Sequence, residues 1–73
     1  MPAIDFALRG PHITLDALLK ATGLAGSGGS AKLLIVEGGV RVNGAPETRR
    51  GRKLRAGDVV SVGDSVVQVQ AGG

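Results

Sequence analysis

A chain of 73 residues with a net charge of +3 is expected to form one domain of modest stability, and it has little room for a water-excluding pocket. The absence of cysteine excludes disulfides and thiolate metal sites and favours a reducing cytoplasm. No apolar run approaches the roughly 20 residues that span a bilayer, so no membrane partner is expected.

The N-terminal part of the chain predicts a strand followed by a helix. Apolar and polar residues alternate loosely over residues 3–9, and Gly10-Pro11 ends this strand. Thr14 is a candidate helix N-cap, and Gly23 is the expected end of the helix. Four residues between them recur at the spacing of one helical face: Leu15, Leu18, Leu19 and Thr22.

A turn rich in glycine and serine leads into a second predicted helix, residues 30–37, which Gly38-Gly39 ends. Ser27 or Ser30 is the expected N-cap, and the amides of residues 27–30 are a favourable seat for a phosphate. Lys32 should emerge near the start of this helix. Because the helix is short and almost entirely apolar, we expect it to be packed against other elements rather than exposed.

The second half of the chain predicts a small sheet. Val40–Val42 alternates apolar and basic residues, and Asn43-Gly44 is a strong hairpin signal. Residues 45–48 should form an irregular link, because Pro46 cannot donate to a central ladder. Further strands are expected at residues 53–54, 59–62 and 66–69, turns at 56–58 and 63–64, and a frayed tail at 71–73. The expected core is Leu18, Leu19, Leu34, Ile35, Val40, Val42, Val60 and Val62.

Positive charge is concentrated in residues 49–55, which we call the basic segment. Its five cations are Arg49, Arg50, Arg52, Lys53 and Arg55. With Arg41, six of the nine cations lie between residues 41 and 55, where Glu47 is the only acid. Like charges repel one another, so this clustering predicts a polyanionic partner rather than a merely solvated loop. Phe6 is the only Phe, Tyr or Trp, so a nucleic-acid contact would use phosphates, backbone geometry or stacking on Arg rather than base stacking on these aromatic rings.

The sequence shows no set of catalytic residues. No pair of carboxylates has a spacing that suggests general acid–base chemistry, and the single His does not form a convincing Ser/His/Asp set. Neither a zinc-site spacing nor a Walker sequence occurs. We therefore expect no enzyme activity, no cofactor and no small-molecule substrate.

Several motifs occur in a recognisable order: Leu15–Leu19, Gly23-Leu24, Ser27–Ala31, Glu37–Gly44 and Ala56–Val60. Together they resemble the S4 RNA-binding domain, named after small-subunit ribosomal protein four, over roughly residues 13 to 62. Thr48–Lys53 is similar to a basic run in the small stand-alone bacterial members. Two positions depart from the family pattern, because most members have Arg where this chain has Thr14 and many have Arg where it has Gly28.

The resemblance implies an α+β fold of the α-L type, with two short helices on a small, curved, mostly antiparallel sheet in one domain, residues 1–73. It implies non-enzymatic binding of structured RNA, either ribosomal RNA or tRNA, across the helix face and the basic segment. A monomer is expected. The candidate RNA contacts are Ser27, Ser30, Lys32, Arg41, Asn43, Arg49, Arg50, Arg52, Lys53 and Arg55.

Two other functions are alternatives at this point. Val42–Gly44, Gly57–Val60 and the terminal Gly72-Gly73 also resemble ubiquitin-like sulfur carriers, which use a C-terminal Gly-Gly carboxylate. A single first strand, two successive helices and a strand between the Gly-Asp turn and the tail argue against that resemblance. The other alternative is a protein-interaction module in which the basic segment is incidental. A mass change at the C-terminus with an adenylating enzyme and ATP would support a carrier, whereas salt-sensitive RNA binding would support the RNA-binding function.

Overall fold

The computed structural model describes residues 3–72, which form two helices and seven strands. In chain order these are β1 (Ala3–Ala7), β2 (Ile13–Thr14), α1 (Leu15–Ala21), α2 (Gly28–Val36), β3 (Val40–Val42), β4 (Ala45–Pro46), β5 (Lys53–Leu54), β6 (Val59–Val62) and β7 (Ser65–Gln70). Five strands form one sheet in the order β1-β7-β6-β3-β4, and β2 and β5 form a two-stranded sheet. Only β1 and β7 pair in parallel, so the predicted α+β fold with a mostly antiparallel sheet is confirmed.

The core is one cluster of apolar side chains to which both helices and both sheets contribute. Its buried members are Leu8, Leu15, Leu18, Leu19, Ala25, Ala31, Ile35, Val40, Val42, Leu54, Val60, Val67 and Val69. Six of the eight predicted core residues are among them, while Leu34 and Val62 are partly buried and pack against the cluster. Burial of this apolar surface is the main force that holds so small a domain together.

Helix α2 begins two residues before the predicted start. Ser27 is its N-cap, because the Ser27 side chain accepts a hydrogen bond from the Ser30 N–H at 3.2 Å. The helix therefore runs from Gly28, and Ser30 lies inside its first turn. Of the two serines predicted as possible caps, Ser27 has this role.

Helix α2 is not enclosed as predicted. Ala31 and Ile35 are buried in the core, whereas Leu33 and Val36 have exposed fractions of 60% and 57%. The expectation that this helix is packed rather than exposed is therefore wrong for one of its faces. A short helix that packs on one layer of structure can bury only one stripe, whatever the composition of its other side.

The hairpin after β3 has the predicted turn and an additional short strand. Asn43 and Gly44 have φ values of +53° and +85°, the two positive values that a type I′ turn requires. Ala45–Pro46, predicted as an irregular link, instead forms strand β4 and pairs with β3. Pro46 is tolerated because β4 is at the sheet edge, where its missing N–H breaks no central ladder.

The two ends of the described chain meet in the large sheet. Strand β1 lies beside β7, with Ile4 opposite Val67. After β7, Ala71 and Gly72 have no regular structure, and Gly73, the last residue of the predicted tail, lies outside the described residues. Within residues 3–72, both helices are far shorter than a membrane-spanning helix.

Candidate nucleic-acid interface

The main chain of the basic segment is attached to the first turn of helix α1. The N–H groups of Leu15 and Asp16 donate to the carbonyl oxygens of Arg52 and Arg50 at 2.9 and 3.1 Å. These N–H groups have no partner within their own helix, so the segment satisfies them. The Arg52 N–H also donates to the Arg49 carbonyl oxygen at 3.2 Å, which closes a turn. Because the attachment uses main-chain atoms, the side chains are left for other contacts.

A buried carboxylate, Glu47, organises the first half of the segment. Its side chain has an exposed fraction of only 8%. It accepts hydrogen bonds from the Arg49 N–H, Nε and Nη2 at 3.1, 3.1 and 3.3 Å and from Arg52 Nη1 at 2.8 Å. The Glu47 N–H donates to the Val40 carbonyl oxygen at 3.0 Å, which ties the residue to β3. One fixed carboxylate thus holds two arginine side chains.

These contacts strongly favour the ionised form of Glu47. The side chain of Arg49, followed by the side chain of Arg52 and the Arg49 N–H, lowers the pKa of Glu47 from 4.5 to about 2. Glu47 is not among the predicted contacts. Its position as the only acid among six cations is the one feature of the sequence that indicates a role in this region. The sequence does not reveal that this acid is buried.

We expect part of the stability of the protein to be lost as the pH falls from about 4.5 to about 2. The folded-state pKa of Glu47 lies below its unfolded value, so its ion pairs stabilise the fold fully above the unfolded pKa. That contribution disappears as the carboxylate is protonated. Thermal melting of the wild type and of Glu47→Gln across this pH range measures the effect. The same pH dependence in both proteins would contradict it.

A second group of hydrogen bonds holds the end of the basic segment. The Asp58 carboxylate accepts from the Arg55 N–H at 2.8 Å and from Asn43 Nδ2 at 3.0 Å. These donors, with the Arg55 N–H first, lower the pKa of Asp58 from its usual value. Asn43 Oδ1 also accepts from the Val59 N–H at 2.9 Å. Both polar side-chain atoms of Asn43, a predicted RNA contact, are therefore engaged within the protein, where they hold the turn at residues 55–58.

The five cations of the segment divide into two sets. Arg49 and Arg52 pair with Glu47, and their side chains have exposed fractions of 75% and 34%. Arg50, Lys53 and Arg55 are exposed, and within residues 3–72 their side chains form no ion pair and no hydrogen bond. The exposed set can meet a polyanion without first breaking an internal contact.

The other predicted contacts lie outside the basic segment. Ser27 and Ser30 lie at the start of α2, with their hydroxyl oxygens 3.2 Å apart, and Lys32 is exposed in the same helix. Arg41 is exposed on β3, between two buried valines. In the described part of the chain, no hydrogen bond or ion pair joins any of these four residues to the basic segment. Of these four residues, Arg41 lies nearest in the sheet to Glu47, because it is paired with Pro46 in strand β4.

Known proteins with similar sequences include two small bacterial proteins, one named for RNA binding and one for ribosome maturation. Residues 6–70 match the family model of the S4 domain. YbcJ of Escherichia coli strain K12, which is named for RNA binding, is 49% identical over 61 residues, covering 84% of this chain and 87% of YbcJ. RlbA of Bacillus subtilis strain 168, which is named for ribosome maturation, is 50% identical over 50 residues, covering 68% of this chain and 70% of RlbA.

A solved structure is similar in fold as well as in sequence. The solution structure of E. coli YbcJ, described as an α-L motif involved in RNA binding, matches with a TM-score of 0.71 and 47% identity. The match covers 92% of this chain and 86% of that one, and it confirms the predicted α-L arrangement. The motifs, the fold and these similarities agree, and the chain belongs to the S4 domain family.

Proposed function

We propose that this protein is a non-enzymatic, cytoplasmic monomer that binds structured RNA mainly through phosphate groups. The observation that supports this most strongly is the anchored basic segment, in which Arg50, Lys53 and Arg55 are exposed while the main chain is fixed. Each cation that neutralises a phosphate releases condensed counterions, which provides affinity without reading a base. Because one relative is named for ribosome maturation, ribosomal RNA is the favoured target, and tRNA is the second candidate.

The scarcity of Phe, Tyr and Trp side chains supports recognition by phosphates and shape. Phe6, the only Phe, Tyr or Trp in the chain, is partly buried and packs against the core. Proteins that bind single strands commonly stack bases on aromatic side chains, at about 1–3 kcal/mol per base. Phe6 does not offer an exposed platform of this kind, so folded RNA with fixed phosphate positions is the better partner.

The start of α2 offers a second seat for a phosphate. Ser27 caps the helix, and within residues 3–72 the N–H groups of Gly28 and Gly29 have no acceptor. Free N–H groups and the helix dipole favour an anion there, and Lys32 adds a nearby charge. Since the arginines that many family members have at positions 14 and 28 are absent, we assign the larger share of the affinity to the basic segment.

We expect an RNA hairpin to bind more tightly than poly(U) of equal length at the same salt concentration. The hairpin presents phosphates at fixed spacings, whereas the flexible strand must be ordered on binding and gains no stacking in return. Fluorescence anisotropy with end-labelled RNAs measures both affinities. Tighter binding to poly(U) would contradict recognition by phosphates and shape. No binding to either RNA would favour the protein-interaction alternative.

The sulfur-carrier alternative gains no support from the family to which the chain belongs. Gly72 also has a structural explanation, because a side chain at this position would overlap the carbonyl oxygen of Leu8. Packing against the end of the first strand therefore accounts for this glycine. Unchanged intact mass after incubation with an adenylating enzyme and ATP is the expected result for the C-terminus.

A further inference from the structure

We propose that Glu47 is a positioning residue for RNA binding, which fixes Arg49 and Arg52 in the orientation that meets phosphates. This inference rests on the proposed function. Coulomb's law alone predicts the opposite role, because an acid inside a cationic segment reduces its attraction for RNA. The structure favours positioning for three reasons, which are the burial of the carboxylate, the donors left free on the arginines, and the hydrogen bonds that hold these side chains before RNA binds.

The Glu47 carboxylate is buried and accepts hydrogen bonds from two arginines. Its backbone N–H is bonded to Val40, and its two oxygens accept four hydrogen bonds, three from Arg49 and one from Arg52. None of the buried side-chain polar atoms in the described part of the chain lacks a partner. A group held in this way defines where the guanidinium groups lie.

The arginines keep enough donors to bind a phosphate while they remain on Glu47. A guanidinium group has five N–H donors in a rigid plane. Arg49 uses Nε–H and one Nη2–H on Glu47, so three of its five donors remain on a side chain with an exposed fraction of 75%. Arg49 can therefore contact the protein with one edge and a phosphate oxygen with another.

Fixing these side chains in advance lowers the entropic cost of binding. Arginine loses much rotamer freedom when it is immobilised, and a group that is ordered before binding does not lose it again. Arg49 and Arg52 are ordered by Glu47, whereas Arg50 has no comparable partner within residues 3–72. Glu47 thus lowers the net positive charge beside the basic segment by one, and in return it orients the guanidinium groups of Arg49 and Arg52.

The test compares Glu47→Gln with Glu37→Gln, measured with the same RNA hairpin. Both changes raise the formal net charge from +3 to +4, because each removes one carboxylate. Glu37 is exposed and forms no ion pair within residues 3–72, so its variant measures the effect of charge alone. We expect Glu47→Gln to weaken binding about 5- to 30-fold, from the disorder of two arginines. Glu37→Gln should leave binding unchanged or slightly tighter.

The outcomes separate this inference from the proposed function. Unchanged or tighter binding by Glu47→Gln, with the wild type binding as proposed, overturns the positioning role alone. Failure of the wild type to bind structured RNA overturns the proposed function instead. Melting curves of each variant identify the fraction that is folded at the temperature of the binding measurement.

A measurement on the wild-type protein tests whether Glu47 orders the arginine side chains, and it does not require that any variant folds. Nitrogen-15 relaxation of the arginine Nε–H groups reports how ordered each side chain is before RNA is added. We expect Arg49 Nε to be nearly as rigid as the backbone and Arg50 Nε, the matched control, to be mobile. Equal mobility of the two groups would overturn the proposal.

Discussion

Replacing Arg50, Lys53 and Arg55 together with Ala is expected to weaken binding to a structured RNA about 100-fold at about 0.15 M salt. Each phosphate contact contributes roughly 0.7–0.9 to the slope of log affinity against log salt, which at this concentration is about 0.6–0.7 decades of affinity. Three contacts therefore account for about two decades. Electrophoretic mobility shift or fluorescence anisotropy with an RNA hairpin measures the loss.

The side chains of these three residues make no hydrogen bond and no ion pair within residues 3–72. All are exposed and without an ion pair in the described part of the chain, so the melting temperature should hardly change. Arg52 is less suitable, since its removal would leave the buried Glu47 carboxylate with one partner fewer and reduce stability. A loss of binding would then have two explanations.

The control removes two cations outside the proposed site, Arg9 and Lys20. Lys20 lies in the last turn of α1, whereas the basic segment is attached to its first turn. We expect this double variant to bind nearly as well as the wild type. An equal loss per charge in both variants would indicate diffuse attraction rather than a site, and unchanged binding by the triple variant would remove the basic segment from the interface.

Ile35→Ala is expected to cost about 2–5 kcal/mol of unfolding free energy, because it leaves a cavity in the core. Ile35 lies on α2 and has an exposed fraction of 0%. A domain of this length has a total stability of about 4–11 kcal/mol, so the variant should lose a large share of it. Urea denaturation followed by circular dichroism measures the change in the midpoint and in the free energy.

Leu33→Ala is the matched control for this substitution. Both residues are aliphatic and lie on the same helix, but Leu33 has an exposed fraction of 60%. Its removal should change the unfolding free energy by no more than about 0.5 kcal/mol. Similar losses in the two variants would show that α2 packs on the core through a different face.

Local patterns were sufficient to predict much of the fold. The strand at Val59–Val62 agrees with the prediction residue for residue, and the turn at Asn43-Gly44 has the positive φ values that its sequence requires. Both features depend on neighbouring residues. For the same reason, the glycine that ends the first helix could be identified from sequence alone, and Gly23 has a φ of +79°.

Features that depend on a distant partner could not be predicted. Alternation over residues 3–9 indicates a strand, but it does not reveal that β1 pairs in parallel with β7 at the other end of the chain. Composition likewise cannot show which face of an almost entirely apolar helix is covered, and the exposure of Leu33 and Val36 therefore appears only in the structure. Tertiary packing decides both properties.

The sequence suggests where the proposed site lies, but it does not reveal how the residues of that site are organised. Charge density alone identified residues 49–55, since electrostatic repulsion makes such clustering informative. It could not show that Glu47 holds two of the arginines or that Asn43 is bonded to Asp58, fifteen positions away. A polar side chain near a basic cluster suits either an RNA contact or an internal bond, and only the fold distinguishes the two.

The salt dependence of RNA binding tests the central claim most directly. For about four to six phosphate contacts, the slope of log association constant against log salt should be roughly −3 to −5 for the wild type. The variant that lacks Arg50, Lys53 and Arg55 should have a slope flatter by about 2 to 3 units, for every structured RNA alike. A wild-type slope near zero, or the same slope in both proteins, would contradict the assignment of the basic segment as the phosphate-binding surface.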